Sequence, residues 1–170
     1  GDQADGGNYI RPPLKEEEIG FSEKPRGKDG ARIRKGLQTL HTLELMAVNI
    51  YRYQITKSRD ELNRYLLSAM INEMTHLQDF QRKLFEYGWR PTRIRWAYWL
   101  VGFFFGFFSR IMGSEARLRT AIWVETKAVH HYGQLLEEID WDEDTRRIVE
   151  KNRDDEKGHI ERWKKLLASR

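Results

Sequence analysis

Apolar residues recur along this chain with helical spacing in four separate stretches. From about Gly36 to Lys57 the stripe runs Leu37, Leu40, Ala47, Val48, Tyr51 and Ile55, a three-to-four-residue repeat that lines up one face of a helix. A second stripe runs Leu62, Tyr65, Leu66, Ala69, Leu77, Phe80 and Leu84. It opens on Ser58-Arg59-Asp60-Glu61, which reads as a capping box, and it closes at Gly88. A third starts from Ser114, a candidate cap, and includes Leu118, Ala121, Ile122, Ala128, Val129, Tyr132, Leu135, Leu136 and Ile139. The fourth follows Asp142 as N-cap and carries Ile148, Val149, Ile160, Trp163, Leu166 and Leu167. The pattern predicts an all-α protein, a four-helix bundle over residues 36–170. Residues 1–35 lack a sustained period and read as an extended or disordered arm that packs locally through Tyr9, Ile10 and Phe21.

Every one of the four stripes is interrupted near its centre by a carboxylate: Glu44, Glu73, Glu125 and Glu156. Two of these belong to Glu-x-x-His, as Glu73-Met74-Thr75-His76 and Glu156-Lys157-Gly158-His159, which sets carboxylate and imidazole one helical turn apart. A lone Glu in a stripe is usually a surface residue, because Glu is seldom buried unpaired. Four in succession, two with His, call for another account. Burying several carboxylates costs several kcal/mol each unless something cationic compensates. Two divalent cations would do so, and this is the ligand pattern of dimetal carboxylate bundles. The expected ligands are Glu44, Glu73, His76, Glu125, Glu156 and His159. Asp155 is a candidate acceptor for the second ring N–H of a ligand His. Tyr51 and Tyr132, each seven residues after a proposed ligand Glu, are candidate hydrogen-bond donors, with packing the plainer reading of Tyr51. His41, His130 and His131 stay outside the ligand set.

Between the second and third stripes lies Trp96–Phe108, thirteen apolar residues, where a bilayer span needs about 20. Arg93, Arg95 and Arg110 flank it, as they would an element lying at a membrane surface. The candidate lipid- or substrate-facing residues are Trp96, Trp99, Phe103, Phe104, Phe107 and Phe108. From Arg82 to Arg119 there are eight Lys/Arg against Glu86 and Glu115, a window of +6 in a chain of +4. Aromatic and aliphatic neighbours turn that charge toward anionic lipid and away from nucleic acid. The absence of cysteine excludes disulfides, thiolate catalysis and iron–sulfur clusters, so any metal is held by His and carboxylate, which suits iron, manganese or zinc. Early acidic residues argue against a transit peptide and the lack of an apolar core argues against a signal peptide. The expectation is a peripheral protein on the cytoplasmic or matrix face of a membrane, not secreted.

Taken together, His41-Thr-Leu-Glu44, Glu73-Met-Thr-His76-Leu77, Arg90-Pro91-Thr92, Val124-Glu125, His130-His131-Tyr132 and Arg153-Asp154-Asp155-Glu156 with His159 resemble the demethoxyubiquinone hydroxylase family. The resemblance covers about His41 to His159. It departs at Leu43 and Met46, where the family tends to have glycine. It implies a ferritin-like di-iron fold with two Fe ions per chain, manganese as the alternative metal, and O₂ as co-substrate. It further implies a quinone-like or other hydrophobic substrate met at a membrane face, and an external electron donor or reductase. His131 and Tyr132 are the residues it points to for electron delivery. Homo-oligomerisation is left open. The competing reading of the same six ligands is a ferritin- or rubrerythrin-like protein that handles iron or removes peroxide. A non-catalytic bundle with structural metal is the third.

Overall fold

The computed structural model describes residues 13–170, so the expected packing of Tyr9 and Ile10 falls outside the described residues. After a 3-10 turn at Glu16–Glu18 come five helices: α1 (Gly27–Gln54), α2 (Glu61–Glu86), α3 (Arg95–Met112), α4 (Ser114–Glu138) and α5 (Glu143–Ala168). Among the described residues there is no strand, and no helix is long and apolar enough to cross a membrane.

The ends of the helices show where side chains, and not periodicity, decide. α1 begins at Gly27 and not near Gly36, so the segment read as an arm is partly helical. Its hidden apolar contact is a glycine: a Cβ on Gly36 would stand 2.7 Å from Ile139 Cδ1 and 3.0 Å from Trp141. A residue without a side chain adds nothing to a hydropathy stripe yet allows that close approach. At α2 the N-cap is Asp60, not Ser58; its carboxylate accepts from the Asn63 N–H at 2.8 Å. Asn63 in turn holds the preceding loop through Thr56 and Ser58. α2 stops as expected at Gly88, whose φ of 71° suits glycine. There Gly88 N–H donates to Phe85 and Trp89 N–H to Leu84, the paired bonds of a Schellman ending. Ser114 is the first residue of α4 and does not cap it; Gly113 does the turning, and Ser114 Oγ accepts from Arg117. Asp142 caps α5 through Thr145 N–H at 2.9 Å.

Two apolar layers fill the bundle. One joins Leu37 and Leu40 of α1, Phe80 and Leu84 of α2, Tyr132 and Leu136 of α4, and Val149 of α5. The other joins Tyr51, Leu62, Leu66, Leu118, Ala121 and Trp163 of the same four helices. The order in which each helix passes through the layers gives its direction: α1 and α5 run one way, α2 and α4 the other. Residues 44, 73–76, 125 and 156–159 fall between the layers on every helix. α2 ends at one end of the bundle and α4 starts at the other, so a long crossover must connect them.

That crossover is α3. The expected apolar connection is a continuous 18-residue helix, running parallel to α1 and packed on it through Gly102, Gly106 and Ser109, its only buried residues. A Cβ on Gly102 would lie 2.6 Å from the Met46 carbonyl oxygen, and one on Gly106 2.6 Å from that of Ile50. Gln54 donates to Ser109 Oγ and Asn49 to the Trp99 carbonyl. Small residues four apart thus let the two backbones touch. Gly106→Val would force α3 off α1, and we expect a loss of roughly 1–3 kcal/mol in urea unfolding followed by circular dichroism. An unchanged midpoint would show that α3 does not depend on this contact.

Candidate metal centre

The middle layer brings Glu44, Glu73, His76, Glu125, Glu156 and His159 together, each at most 1% exposed. They form two overlapping groups: Glu44, Glu73, His76 and Glu156, and Glu73, Glu125, Glu156 and His159. Glu73 and Glu156 belong to both. Within each group one ligand atom per residue lies within 4.8 Å of all the others. His76 Nδ1 is 2.8 Å from Glu156 Oε1, 3.3 Å from Glu73 Oε2 and 3.4 Å from Glu44 Oε2. His159 Nδ1 is 3.1 Å from Glu73 Oε1 and 3.1 Å from Glu125 Oε1.

These approaches do not satisfy the carboxylates. Both oxygens of Glu73, both of Glu156 and Oε2 of Glu125 are buried with no aligned hydrogen-bond donor. Such a concentration of carboxylates in a fully buried layer calls for a proton or a metal cation at each group. The strain shows in the ionisation of the metal-free cluster. Burial, and then the neighbouring Glu73 carboxylate, push the Glu44 carboxyl up to about 8. Burial would lower the imidazole of His159, but Glu156 and Glu73 raise it to about 10. His76 is likewise lifted well above its ordinary value, against its burial, by Glu44, Asp155 and Glu156. Three carboxylates and one imidazole per group, with two carboxylates common to both, fit a pair of divalent cations that take oxygen and nitrogen ligands.

The surrounding hydrogen bonds fix the cluster from outside. Tyr51 on α1 donates to Glu125 Oε1 on α4, and Tyr132 on α4 donates to Glu44 Oε1 on α1. Packing against Trp163 therefore accounts for only part of Tyr51. Burial, then neighbouring carboxylates, hold both phenols well above their ordinary pKa, so they remain donors. Asp155 Oδ2 lies 2.9 Å from His76 Nε2, across the bundle on α2 and not on the His of its own helix. Burial would raise the Asp155 carboxyl, but His76 and then Asn72 hold it low. Asn72 and Lys151 both donate to Asp155 at 3.1 Å; the sequence suggests Asn72 only as a weak counterpart of Asp155, and Lys151 not at all. Asn72 stands beside Glu73 as Asp155 stands beside Glu156, so only this internal symmetry points to it.

The other candidates lie elsewhere. His131 is half-buried beside His130, ring centroids 6.1 Å apart, and belongs to neither metal-ligating group. Trp99, Phe103 and Phe107 stack in succession along α3 while Tyr53 of α1 meets Phe103 edge-on at 4.7 Å. Trp96, Phe104 and Phe108 are 64%, 49% and 53% exposed.

The sequence profile of the family described as "Ubiquinone biosynthesis protein COQ7" matches residues 31–165. The chain is 29% identical over 125 residues to a Dictyostelium discoideum protein named NADPH-dependent 3-demethoxyubiquinone 3-hydroxylase, mitochondrial, covering 71% of this chain and 58% of that one. A Bordetella avium protein named 3-demethoxyubiquinol 3-hydroxylase is 30% identical over 143 residues, 82% of this chain and 66% of its own length. A Polaromonas protein of the same name is 29% identical over 123 residues, 71% of this chain and 59% of that one. The chain thus spans about three-fifths of the length of the first two relatives.

The raised ionisation values predict an unusual pH response. Glu44 rises from 4.5 to about 8 and His159 from 6.5 to about 10, so the folded state holds these protons more tightly than the unfolded chain. Their contribution to stability is full at low pH. It is lost as pH rises through about 8 for Glu44 and about 10 for His159. Chelator-treated protein should therefore melt at falling temperature from about pH 6 to about pH 9. Protein loaded with ferrous or manganous ion should not, because metal competes better as its ligands deprotonate. A flat profile for the chelated protein would contradict the buried cluster.

Proposed function

This chain belongs to the COQ7 family of ubiquinone biosynthesis proteins, and from that premise we propose that it is an O₂-dependent, dinuclear-iron hydroxylase of a quinone-like substrate. The observation that carries the reading is the pair of carboxylate–imidazole groups sharing Glu73 and Glu156. Glu44 and His76 would hold one iron, Glu125 and His159 the other, and the two shared carboxylates would serve both. When bound, the metals supply the activation of O₂ for transfer of one oxygen atom to the substrate ring. The other oxygen leaves as water, which takes two electrons and two protons from an external donor or reductase.

The chain's own residues set the conditions for that chemistry. Asp155, 2.9 Å from His76 Nε2, fixes the ring so that its Nδ1 faces Glu44, Glu73 and Glu156. Tyr51 and Tyr132 orient one oxygen of Glu125 and one of Glu44, leaving the other of each available. The two apolar layers keep water from the cluster. The substrate's class follows from the family and from α3. That helix exposes Trp96, Leu100, Phe104, Phe108, Ile111 and Met112, an apolar strip suited to lying in a membrane face where a long-tailed quinone resides.

Two measurements test the proposal. The full chain, expressed in a strain that accumulates the unhydroxylated quinone precursor, should restore the hydroxylated product, and it should bind about two irons. Glu73→Ala, which removes a carboxylate from both groups, should lose metal and product together. Bound iron with no quinone product, and with faster peroxide consumption instead, would favour the ferritin- or rubrerythrin-like reading. Flotation with liposomes should carry the protein upward, and the double change Phe104→Asp with Phe108→Asp should leave it at the bottom. Unaltered flotation of that variant would remove α3 from the membrane contact.

A further inference from the structure

Outside the middle layer, a cation-lined groove made of two adjoining pockets lies around the start of α3. Its first half, about 640 Å³, lies between α1, α2 and α3 and is lined by Leu45, Val48, Met74, Leu77, Trp96 and Trp99 among others. Its second half runs past the α2–α3 loop to Lys24 and Arg34. The halves meet at Gln81 and Arg95, which line both. The first half alone is within the size of ordinary small-molecule sites, roughly 300–1,000 Å³.

Six cations line the two halves: Lys24, Arg34, Arg52, Arg90, Arg93 and Arg95. Among the described residues no Asp or Glu lines either. Several cations elsewhere on the surface pair along helices, as in Arg64–Glu61, Arg119–Glu115 and Lys151–Asp155. Among the described residues none of the six has such a partner. Their position makes the charge more costly still. Arg93 and Arg95 stand at the N-terminus of α3, where the helix dipole is already positive and the first turn carries no acid. Like charges converging on a positive helix end destabilise one another unless an anion sits among them. The guanidinium donors gathered there match phosphate oxygens. The other half of the groove offers the indoles of Trp96 and Trp99 with aliphatic side chains, a surface for a flat or apolar body.

We propose that this groove binds a phosphate-bearing ligand, with the phosphates among Arg34, Arg90, Arg93 and Arg95 and the ligand's ring or chain along Trp96 and Trp99. The site lies outside the carboxylate cluster, and the proposal does not depend on which metal, or which reaction, that cluster serves. The phosphate has two sources, a soluble nucleotide or the headgroup of an anionic lipid.

Calorimetric titration of the full chain with pyrophosphate and ADP tests the soluble source, and flotation with phosphatidylglycerol against phosphatidylcholine vesicles tests the lipid. The variant Arg34→Gln/Arg93→Gln/Arg95→Gln removes three exposed charges from the groove. Lys157→Gln/Lys164→Gln/Lys165→Gln removes as many exposed charges from α5 and serves as the control. Helical circular dichroism and bound metal should be unchanged in both. For the soluble source, the groove variant should bind ADP at least about tenfold more weakly while the α5 variant binds as wild type, and Trp96→Ala should bring ADP down to the affinity of pyrophosphate. For the lipid source, the preference for phosphatidylglycerol should vanish in the groove variant alone. Equal losses in both variants would reduce the effect to net charge and overturn the site, as would a wild-type chain that binds neither nucleotide nor anionic vesicle selectively.

Discussion

Four carboxylates held between two apolar layers are the condition to which the rest of this structure answers. Desolvation opposes four charges there without a cation among them, and the Glu73 carboxylate adds to burial in raising the Glu44 carboxyl. The fold responds in three ways. It places two imidazoles with Nδ1 turned inward. It ties the Glu of α1 and the Glu of α4 to a tyrosine on the opposite helix. It anchors His76 from outside through Asp155, itself steadied by Asn72 and Lys151. These bonds organise the cluster without neutralising it, because Glu73 and Glu156 remain without aligned donors. The arrangement is that of a cage that divalent cations would complete.

The apolar layers have a second role. Leu37, Leu40, Phe80 and Val149 on one side, and Leu62, Leu66, Leu118 and Trp163 on the other, are all fully buried. They hold four helices in register so that residues distant in sequence share one level of the bundle. Burial of such side chains contributes about 1.5–3 kcal/mol apiece, which offsets the polar layer between them. Stability and site geometry therefore depend on the same packing.

Antiparallel pairs α1–α2 and α4–α5 require a return along the whole bundle, and α3 supplies it. Its glycine face is committed to α1, which leaves the aromatic face outward. One helix thus connects the two halves of the site, displays the exposed apolar strip, and carries at its N-terminus the cationic groove. The +6 charge window seen in the sequence resolves into separate functions: Arg117 and Lys83 are buried in structural bonds, whereas Arg90, Arg93 and Arg95 face the groove.

Periodicity alone was enough to find the four bundle helices and the four interrupting Glu residues, because a helix repeats every 3.6 residues whatever it packs against. It did not find α3, whose apolar residues read only as a connection. The repeated Glu-x-x-His marked Glu73, His76, Glu156 and His159 for the same reason, since residues one turn apart share a face in any helix. What lies across the bundle was decided only by the tertiary structure. Spacing could place Tyr51 and Tyr132 on the inner face, but not show that each donates to the Glu of the other helix, nor that Asp155 reaches His76 and not His159. The capping-box pattern puts the start of α2 at Ser58, and the loop geometry gives the cap to Asp60 through Asn63. Gly36, Gly102 and Gly106 were silent because a residue with no side chain leaves no hydropathic trace of the neighbour it admits. The groove assembles Lys24, Arg34 and Arg90–Arg95 from segments far apart in the chain. A one-dimensional pattern records the face each residue occupies; the partner it meets there is a property of the packed chain.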